Sequence, residues 1–515
     1  MSESAVGAIS ERTGPSQMAA ESARRWWILG VVGLAQLMVV LDATIVNIAL
    51  PSAQHDLGFS NADRQWVVTA YSLAFGGLLL LGGRLSDLVG RRRMLIIGLI
   101  GFAAASALGG AATSFAVLVI GRGAQGAFGA MLAPAALSTL TVTFTDPAER
   151  GKAFGVYGAI AGGGGAVGLL LGGFLTEYLS WRWCLYVNVV IAVVAVAGAV
   201  RLLASHPRNP DVKIDWPGTV LEVAGLVAVV YGLSEADTKG WGAPTTVVLL
   251  VAGVVLLAAF VLVEQRVQHP LLPLRIVLNR FRGGAYLAIG LSAIGVFGIF
   301  LFLTYYLQLS LAYSPVKSGL AFLPMIAAII AASTTSSGVL MPRVGPRPLI
   351  PVGLLIAAGG LAILAAQLGL RTSYPAWILP SLILVGAGLG VVFGCALNTA
   401  TYGAGAADAG VAAALVNTNQ QVGGSIGTAL LNTLAASALT SYVLTHGHSP
   451  LVLAQAAVHS YVVGFWVSAA ILAGSAVVCA LVLPSGTLAL TAGPVAAPAT
   501  VTREETREEM SARDR

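Results

Sequence analysis

Two charged side chains of opposite sign lie within apolar stretches of the sequence, where they could bind and release a proton. Asp42 comes sixteen residues after Trp26, where a long apolar run begins, and Arg122 comes seven residues after Phe115, where another begins. At 1.5 Å per helical residue, Asp42 lies about 24 Å from the start of its helix and Arg122 about 10 Å from the start of an antiparallel one. Across a hydrocarbon layer about 30 Å thick, these depths agree within the error of the helix ends.

A carboxylate and a guanidinium buried together can work as a proton switch. Burial favours the neutral acid, whereas a neighbouring guanidinium favours the carboxylate, so a proton and Arg122 compete for Asp42. An unpaired charge at this depth costs at least about 2.5–3.5 kcal/mol, so we expect the two side chains to be paired and to face a cavity. Gln125 lies one turn from Arg122 on the same helix face and could orient it. The alternative is a static ion pair that fixes two helices.

The composition requires that most of the chain be buried in lipid. Of 515 residues, 57% are apolar and 10% are charged, and the mean hydropathy is +0.85. A soluble surface needs roughly 25% charged residues. The chain is therefore predicted to be a polytopic membrane protein, which excludes soluble, disordered and nucleic-acid-binding classes.

Long apolar runs joined by short polar segments predict an all-α fold of about fourteen transmembrane helices. Alternation in ten-residue segments, which is typical of β-barrels, is absent from the sequence. With both termini inside, 22 of the 28 Lys and Arg residues fall on the inner side and five on the outer side, as the positive-inside rule predicts. We expect a multi-pass protein of the cell (inner, cytoplasmic) membrane with cytoplasmic N and C termini.

An internal repeat divides the chain into two halves. Gly, Leu, Val, Gly and Arg recur at matching positions between the segments 83–93 and 338–347, which are 255 residues apart. Two six-helix bundles that flank an inserted helix pair are a transporter architecture. The predicted division comprises a cytoplasmic tail, the N-terminal bundle, the inserted pair with its linkers, the C-terminal bundle and a disordered cytoplasmic tail, at 1–25, 26–204, 205–282, 283–484 and 485–515.

Several motifs resemble the major facilitator superfamily, in particular its fourteen-helix drug:proton antiporter branch. They cover the first, second, fourth, fifth and sixth predicted helices. In chain order they are Leu41-Asp42-x-Thr44-Ile45-Val46-Asn47-x-Ala49-Leu50-Pro51, Gly83-x-Leu85-x-Asp87-x-x-Gly90-Arg91-Arg92, Arg122-x-x-Gln125-Gly126, Gly164-x-x-x-Gly168-Leu169-x-x-Gly172-Gly173, and Trp181-Arg182-Trp183 followed by Asn188.

The resemblance assigns expected roles to two of these motifs. It implies that the loop containing Gly83, Asp87, Gly90, Arg91 and Arg92 is a gate, in which Asp87 accepts hydrogen bonds in one conformational state only; a loop that is basic for topology alone is the alternative. It also implies that Gly164, Gly168, Gly172 and Gly173 form the antiporter motif of the fifth helix; close packing of helices without a further function is the alternative for these glycines. Leu169 occupies the position of the family's Pro in that motif. This departure restores a backbone donor, weakens the expected kink and leaves the direction of transport open.

Further polar residues in apolar runs could line a substrate cavity. These residues are Asn47, Glu222, Asn417, Gln420 and Gln421. Hydrogen bonding between helices is an equal alternative for the amides. For Glu222, about 8 Å from the start of its helix, extension of the side chain to the interface is the favoured interpretation.

No cofactor or nucleotide is expected. His446, His448 and His459 lack the partners of a metal site, and no P-loop follows a strand, so ATP does not drive the protein. The expected energy source is a proton gradient. Cys184, Cys395 and Cys479 are expected to be reduced and buried.

These features together predict a secondary active exporter rather than an enzyme. The resemblance implies small-molecule substrates, namely amphipathic drugs or antibiotics, exchanged for protons by alternating access. Because few acids lie in the membrane, neutral, zwitterionic or monocationic molecules are favoured over dications. A dedicated exporter of one endogenous metabolite on the same scaffold, or an integral membrane enzyme, is the alternative. A channel would be excluded by uphill, proton-driven flux.

Overall fold

The computed structural model describes residues 15–61, 63–144, 146–204, 214–268, 270–401 and 409–485. Within these ranges the side chains at some positions, among them those of 15–21, 87, 147–148, 150–152 and 409–413, lie outside the description. All regular secondary structure in the described residues is helical. The all-α prediction is confirmed.

The described residues form fourteen helices of at least twenty residues. They are α1 Pro15–Leu57, α2 Gln65–Val89, α3 Arg91–Gly110, α4 Phe115–Thr143, α5 Pro147–Tyr178, α6 Trp183–Leu202, α7 Trp216–Lys239, α8 Pro244–Glu264, α9 Arg280–Tyr305, α10 Pro315–Thr335, α11 Pro346–Gln367, α12 Leu379–Thr401, α13 Ala409–His446 and α14 Pro450–Val482. Thirteen described helical segments are long and apolar enough to cross a membrane. Several helices exceed the predicted apolar runs, because polar residues extend them beyond the hydrocarbon layer.

The helices pack as two groups of six with an additional pair at the side. α1 to α6 contact one another, as do α9 to α14, and the two groups meet where α2 packs on α13 and α5 packs on α10. The added pair, α7 and α8, packs against α13 and α2 through α7. The outer end of the bundle is defined here as the end with loop 58–64 and the inner end as the end with Gly90, following the orientation predicted from Lys and Arg.

The 255-residue repeat coincides with matching backbone turns. Gly90, between α2 and α3, has a φ of 96°, and Gly345, which precedes α11, has a φ of 82°. This left-handed region favours glycine, because a side chain there would clash with the backbone. The same turn is therefore built twice, once in each half.

The fifth helix is continuous where the family motif has its proline. α5 is helical from Pro147 to Tyr178 and Leu169 is fully buried. The carbonyl of Leu169 is approached by Gly319 of α10, where an added Cβ would come within 2.5 Å of that oxygen. A Leu at this position thus keeps the helix regular at a close contact between the two halves.

Candidate functional site

The two charged residues singled out in the sequence form an ion pair inside the N-terminal half. Arg122 Nη1 lies 2.5 Å from Asp42 Oδ2, between α4 and α1. The relative exposures of Asp42 and Arg122 are 0% and 1%. The two residues therefore meet, as their similar estimated depths in the sequence predicted.

Two amides complete the hydrogen bonding of the Asp42 carboxylate. Gln125 Nε2 donates to Oδ1 over 2.9 Å, and Asn188 Nδ2 of α6 donates to the same oxygen over 2.8 Å. Both amides also donate to the Ser106 hydroxyl of α3, which in turn donates to the Leu185 carbonyl. The site thus joins four helices through one carboxylate.

Arg122 is held on its other sides by Gln125 and by α2. Its Nη1 also donates to Gln125 Oε1 over 2.9 Å, as predicted for a residue one turn away. Its Nε donates to the carbonyl of Val67 over 2.9 Å, and its guanidinium lies 4.4 Å from the centre of the Tyr71 ring. The cation therefore has hydrogen bonds and an aromatic face in place of water.

The described side-chain partners of the Asp42 carboxylate are all of one kind. Each side-chain group that hydrogen bonds to it is a donor, so the proton of a neutral Asp42 would have no acceptor in the present geometry. Two buried polar atoms at the site have no hydrogen-bond partner among the described residues: Asn188 Oδ1 and the Tyr71 hydroxyl. Rotation of the Asn188 amide would offer its oxygen to a protonated Asp42, so the network can accommodate a proton only by rearranging.

Small residues on α5 hold the Asp42 segment in place. A Cβ added at Gly168 would meet Thr44 Oγ1 and the Leu41 carbonyl, and one at Gly172 would lie 2.9 Å from the Ile45 carbonyl. These glycines let α5 approach the backbone of α1 beside Asp42. The predicted close packing is therefore observed on the helix that carries the acid.

The same glycine motif extends to the other half of the molecule. Gly164 packs on Val40 of α1, whereas a Cβ at Gly173 would lie 2.8 Å from the Val316 Cα of α10. α5 is thus in direct contact with both the Asp42 helix and the C-terminal half.

The expected gating loop lies at the inner end, far from the ion pair. From Val67, which contacts Arg122, α2 continues for about 35 Å to Gly90 at 1.5 Å per residue. Arg92 donates to the carbonyl of Val200 at the end of α6. Arg91 and Arg92 line a cavity together with Arg24 and Arg25. Gly83 is half-buried in α2 close to Pro134 of α4, and the side chain of Asp87 lies outside the described residues.

The residues expected to line a substrate cavity come from three helices, α1, α7 and α13. Asn47 is buried and donates to the Ala43 carbonyl of its own helix over 2.9 Å. On α13, Asn417 is exposed, whereas Gln420 and Gln421 are half-buried, and the Gln421 side chain packs on Gly76 of α2. Gln421 therefore lies at the interface of the two halves.

The side chain of Glu222 is not where the sequence predicted it to be. Its relative exposure is 6%, and its Oε2 has no hydrogen-bond partner among the described residues. The expected extension to the interface is wrong, because α7 packs this face against neighbouring helices instead of against lipid. The residue is a buried acid.

Sequence reasoning missed a cluster that closes the outer end. Arg64, one of the five Lys and Arg residues predicted on the outer side, is 5% exposed; it donates to Asn432 Oδ1, and its guanidinium lies 4.4 Å from the centre of the Tyr305 ring. Tyr305 Oη donates to Gln54 Oε1 over 2.5 Å. Gln308 Nε2 donates to the Ile48 carbonyl over 3.0 Å. Polar residues near the ends of apolar runs were the available signal, but their pairing depends on tertiary structure.

Metal binding has no support from the described residues. In them, no group of three or more His, Cys, Asp or Glu side chains is placed to hold an ion. The free thiols of Cys184, Cys395 and Cys479 are buried, as expected.

The fold and the site define a polytopic helical membrane protein with an ion pair in its interior, an arrangement typical of secondary transporters. The sequence model of the Major Facilitator Superfamily matches residues 32–428. The chain therefore belongs to the Major Facilitator Superfamily. This membership confirms the predicted resemblance and places the chain among transporters rather than enzymes.

The chain is similar to antibiotic resistance and export proteins over most of its length. The puromycin resistance protein pur8 of Streptomyces alboniger is 52% identical over 465 residues, covering 90% of this chain and 92% of that protein. The cephamycin export protein CmcT of Amycolatopsis lactamdurans is 40% identical, covering 78% and 83%. Among solved structures, the POT family transporter PepTSo matches with a TM-score of 0.65 at 17% identity, covering 88% and 97%. The last comparison supports the fold alone.

Proposed function

We propose that this protein exports an amphipathic antibiotic or related small molecule from the cell in exchange for protons. The observation that carries the coupling is the fully buried Asp42–Arg122 ion pair, whose carboxylate is hydrogen bonded by Gln125 and Asn188. Protonation of Asp42 would remove the charge that holds Arg122. The proton thus changes the relative free energies of two arrangements of α1 and α4, which is what coupling requires.

Alternating access is supported by the contacts between the halves. At the outer end, Gln54 and Arg64 of the first half bond Tyr305 and Asn432 of the second. Under the predicted orientation these contacts close the extracellular side. A state open to the outside must break them, and release of Arg122 from Asp42 would act on α2, the helix that begins one residue after Arg64.

The substrate class is proposed from the relatives and from the acids available. The similar proteins are named for puromycin and for cephamycin. Asp42 is paired with Arg122, and Glu222 lies outside the ion-pair network. A dication would therefore find few carboxylates. Neutral, zwitterionic or monocationic antibiotics, with puromycin the first to be tested, fit better.

A dedicated exporter of one metabolite is the second candidate. It is favoured by the fact that each of the two relatives is named for a single compound. A panel of unrelated toxic compounds separates the two proposals, because protection from several of them requires a broad binding cavity.

Everted membrane vesicles test both the function and its direction. Puromycin and the panel are offered outside the vesicles while the interior is acidified, and accumulation is compared between the parent, Asp42→Asn and the surface control Glu149→Gln. The proposal expects accumulation by the parent and the control and its loss in Asp42→Asn. Accumulation of no compound by the parent, or equal accumulation by Asp42→Asn, would refute it.

A further inference from the structure

A second group of buried acids lies at the inner end of the helix pair α7–α8, apart from Asp42. Asp215 precedes α7, Glu222 lies two turns further along, and Glu264 is the last residue of α8. Their relative exposures are 5%, 6% and 3%. Nothing in the proposed transport mechanism uses them.

Asp215 and Glu264 direct unpaired oxygens at the same point. Asp215 Oδ2 lies 2.5 Å, and Glu264 Oε1 2.7 Å, from the position that a Cβ of Gly218 would take. Neither oxygen has a hydrogen-bond donor among the described residues, and Glu222 Oε2 also lacks one. The absence of a side chain at Gly218 thus leaves room for two carboxylates to meet.

The remaining oxygens of the pair are used in fixed backbone contacts. Asp215 Oδ1 accepts from Gly218 N over 2.9 Å and so caps α7. Glu264 Oε2 accepts from Leu272 N over 2.8 Å, in the segment that leads to α9. Because these bonds fix both carboxyl groups in position, Oδ2 and Oε1 cannot turn away from each other without breaking them.

The surrounding elements supply no described cation that neutralises the pair. In the part of the chain that the structure describes, no Lys, Arg or His forms an ion pair with Asp215, Glu222 or Glu264. On α2, Arg84 donates to the carbonyl of Pro270. α13 carries no charged residue before His446 at its far end. Lys213 and His269, near in sequence, lie outside the described residues.

We propose that Asp215 and Glu264 bind one shared proton and thereby fasten the inner linker to the helix pair. Two ionised carboxylates whose oxygens Oδ2 and Oε1 both lie within 2.7 Å of one point would repel. One shared proton supplies the donor that these two oxygens lack. Glu264 accepts a hydrogen bond from Leu272 N. Two residues earlier, the carbonyl of Pro270 accepts one from Arg84 at the inner end of α2. Loss of the proton would therefore loosen the linker where it meets the expected gate.

The experiment uses the purified full-length protein and needs no transport. Infrared difference spectra between acidic and alkaline buffer report the C=O band of a protonated carboxyl. The band of the pair is expected to vanish in both Asp215→Asn and Glu264→Gln. Asn still caps α7, and the Gln amide can donate to Asp215, so both variants are expected to fold. Glu235→Gln, on the other end of α7 and paired with Lys239, is the matched control and is expected to keep the band.

Thermal unfolding against pH provides a second measurement. A proton bound more tightly in the folded state than in the unfolded state contributes stability that is lost as pH rises through its release. The parent and Glu235→Gln should show this loss, and Glu264→Gln should lack that one-proton component. Gly218→Ala, which puts a methyl group between the oxygens, should weaken the pair, whereas Gly242→Ala, with no atom within 4 Å of its added Cβ, should not.

Several results would overturn the proposal. Two concern the pair itself: an unchanged C=O band in either Asp215→Asn or Glu264→Gln, or the same pH dependence of thermal unfolding in the parent and Glu264→Gln. Two concern other partners: a change of the band on addition of Na⁺ or K⁺ at constant pH, or loss of the band in Lys213→Gln or His269→Gln. Because Asp42 is intact in every variant, failure here leaves the proposed antiport standing. Conversely, the band can be present in a protein that transports nothing.

Discussion

At the scale of single residues, the Asp42 carboxylate combines features that a coupling site needs. It is inaccessible in this conformation, it is bonded by one cation and two amides, and the unpaired Asn188 Oδ1 gives it a possible acceptor after protonation. A static ion pair would share the burial. The distinction between the two interpretations therefore depends on what happens when one partner is removed.

Removal of Arg122 is predicted to destabilise the protein strongly. Arg122→Gln leaves a buried carboxylate unpaired, which typically costs about 3–5 kcal/mol in the free energy of unfolding. The loss should shrink at acidic pH, where the orphaned Asp42 can take up a proton, and in the double variant Asp42→Asn/Arg122→Gln. Unfolding of the purified variants in detergent measures the effect.

The half-exposed ion pair between Arg25 and Glu149 provides the comparison. Its side chains are 34% and 32% exposed at an N–O distance of 2.8 Å, so Arg25→Gln should cost about 0–1 kcal/mol. Equal destabilisation by Arg25→Gln and Arg122→Gln would show that the buried pair has no special energetic role.

Sequence reasoning identified the pair but only part of its surroundings. The apolar runs fix the depths of Asp42 and Arg122, because helical rise is constant, and helical spacing places Gln125 beside Arg122. Asn188 was noted only as part of a family motif. Ser106 and Tyr71 were not identified, since a Ser or a Tyr in an apolar helix is common and its partner depends on how α2, α3 and α6 pack.

At the scale of helices, the glycines of α5 set how closely it approaches α1. The sequence predicted close packing but could not assign the partner, because a glycine row has no partner-specific chemistry. In the structure, Gly164, Gly168 and Gly172 of α5 pack against α1, and Gly173 packs against α10. The burial of Glu222 could not be deduced from the sequence either, because it depends on where α7 packs against the bundle.

Gly168→Ala is predicted to impair both stability and transport. Its methyl group would meet Thr44 Oγ1 and lie 3.0 Å from the Leu41 carbonyl, one residue from Asp42. Such overpacking typically costs about 1–3 kcal/mol. Unfolding in detergent and vesicle accumulation measure the two effects.

A glycine on the same helix offers a matched control. No atom lies within 4 Å of a Cβ added at Gly163, so Gly163→Ala should behave like the parent. Thr44→Ala combined with Gly168→Ala should restore part of the loss. If Gly163→Ala and Gly168→Ala are equally impaired, close packing on α1 is not the cause.

At the scale of the whole molecule, the two halves are bridged at the outer end by specific polar contacts. Arg64 lies between Asn432 and the Tyr305 ring, and Tyr305 bonds Gln54. The repeat and the hydropathy predicted two halves, since both are periodic over long distances. They could not predict this closure, because its residues come from segments more than 200 positions apart.

Weakening the closure is predicted to populate a state open at the outer end. Tyr305→Phe removes the bond to Gln54 and Arg64→Gln removes the buried cation, so labels at the exposed positions Leu179 and Arg371 should move apart. Electron paramagnetic resonance between spin labels measures the distance distribution. The conservative control is Tyr313→Phe, because no hydrogen bond of the Tyr313 hydroxyl occurs among the described residues. Unchanged distributions in both Tyr305→Phe and Arg64→Gln would argue against a gate at this position.

The central claim is that binding and release of a proton at Asp42 drives transport of the substrate. A pH difference of one unit is worth about 1.4 kcal/mol per proton, which supports about tenfold accumulation at one proton per substrate. The decisive measurement is puromycin flux in proteoliposomes with an imposed pH gradient, together with exchange of labelled for unlabelled puromycin without a gradient. The account predicts that the parent does both, whereas Asp42→Asn retains exchange and loses accumulation. Gradient-driven accumulation by Asp42→Asn at the parent's level would contradict it.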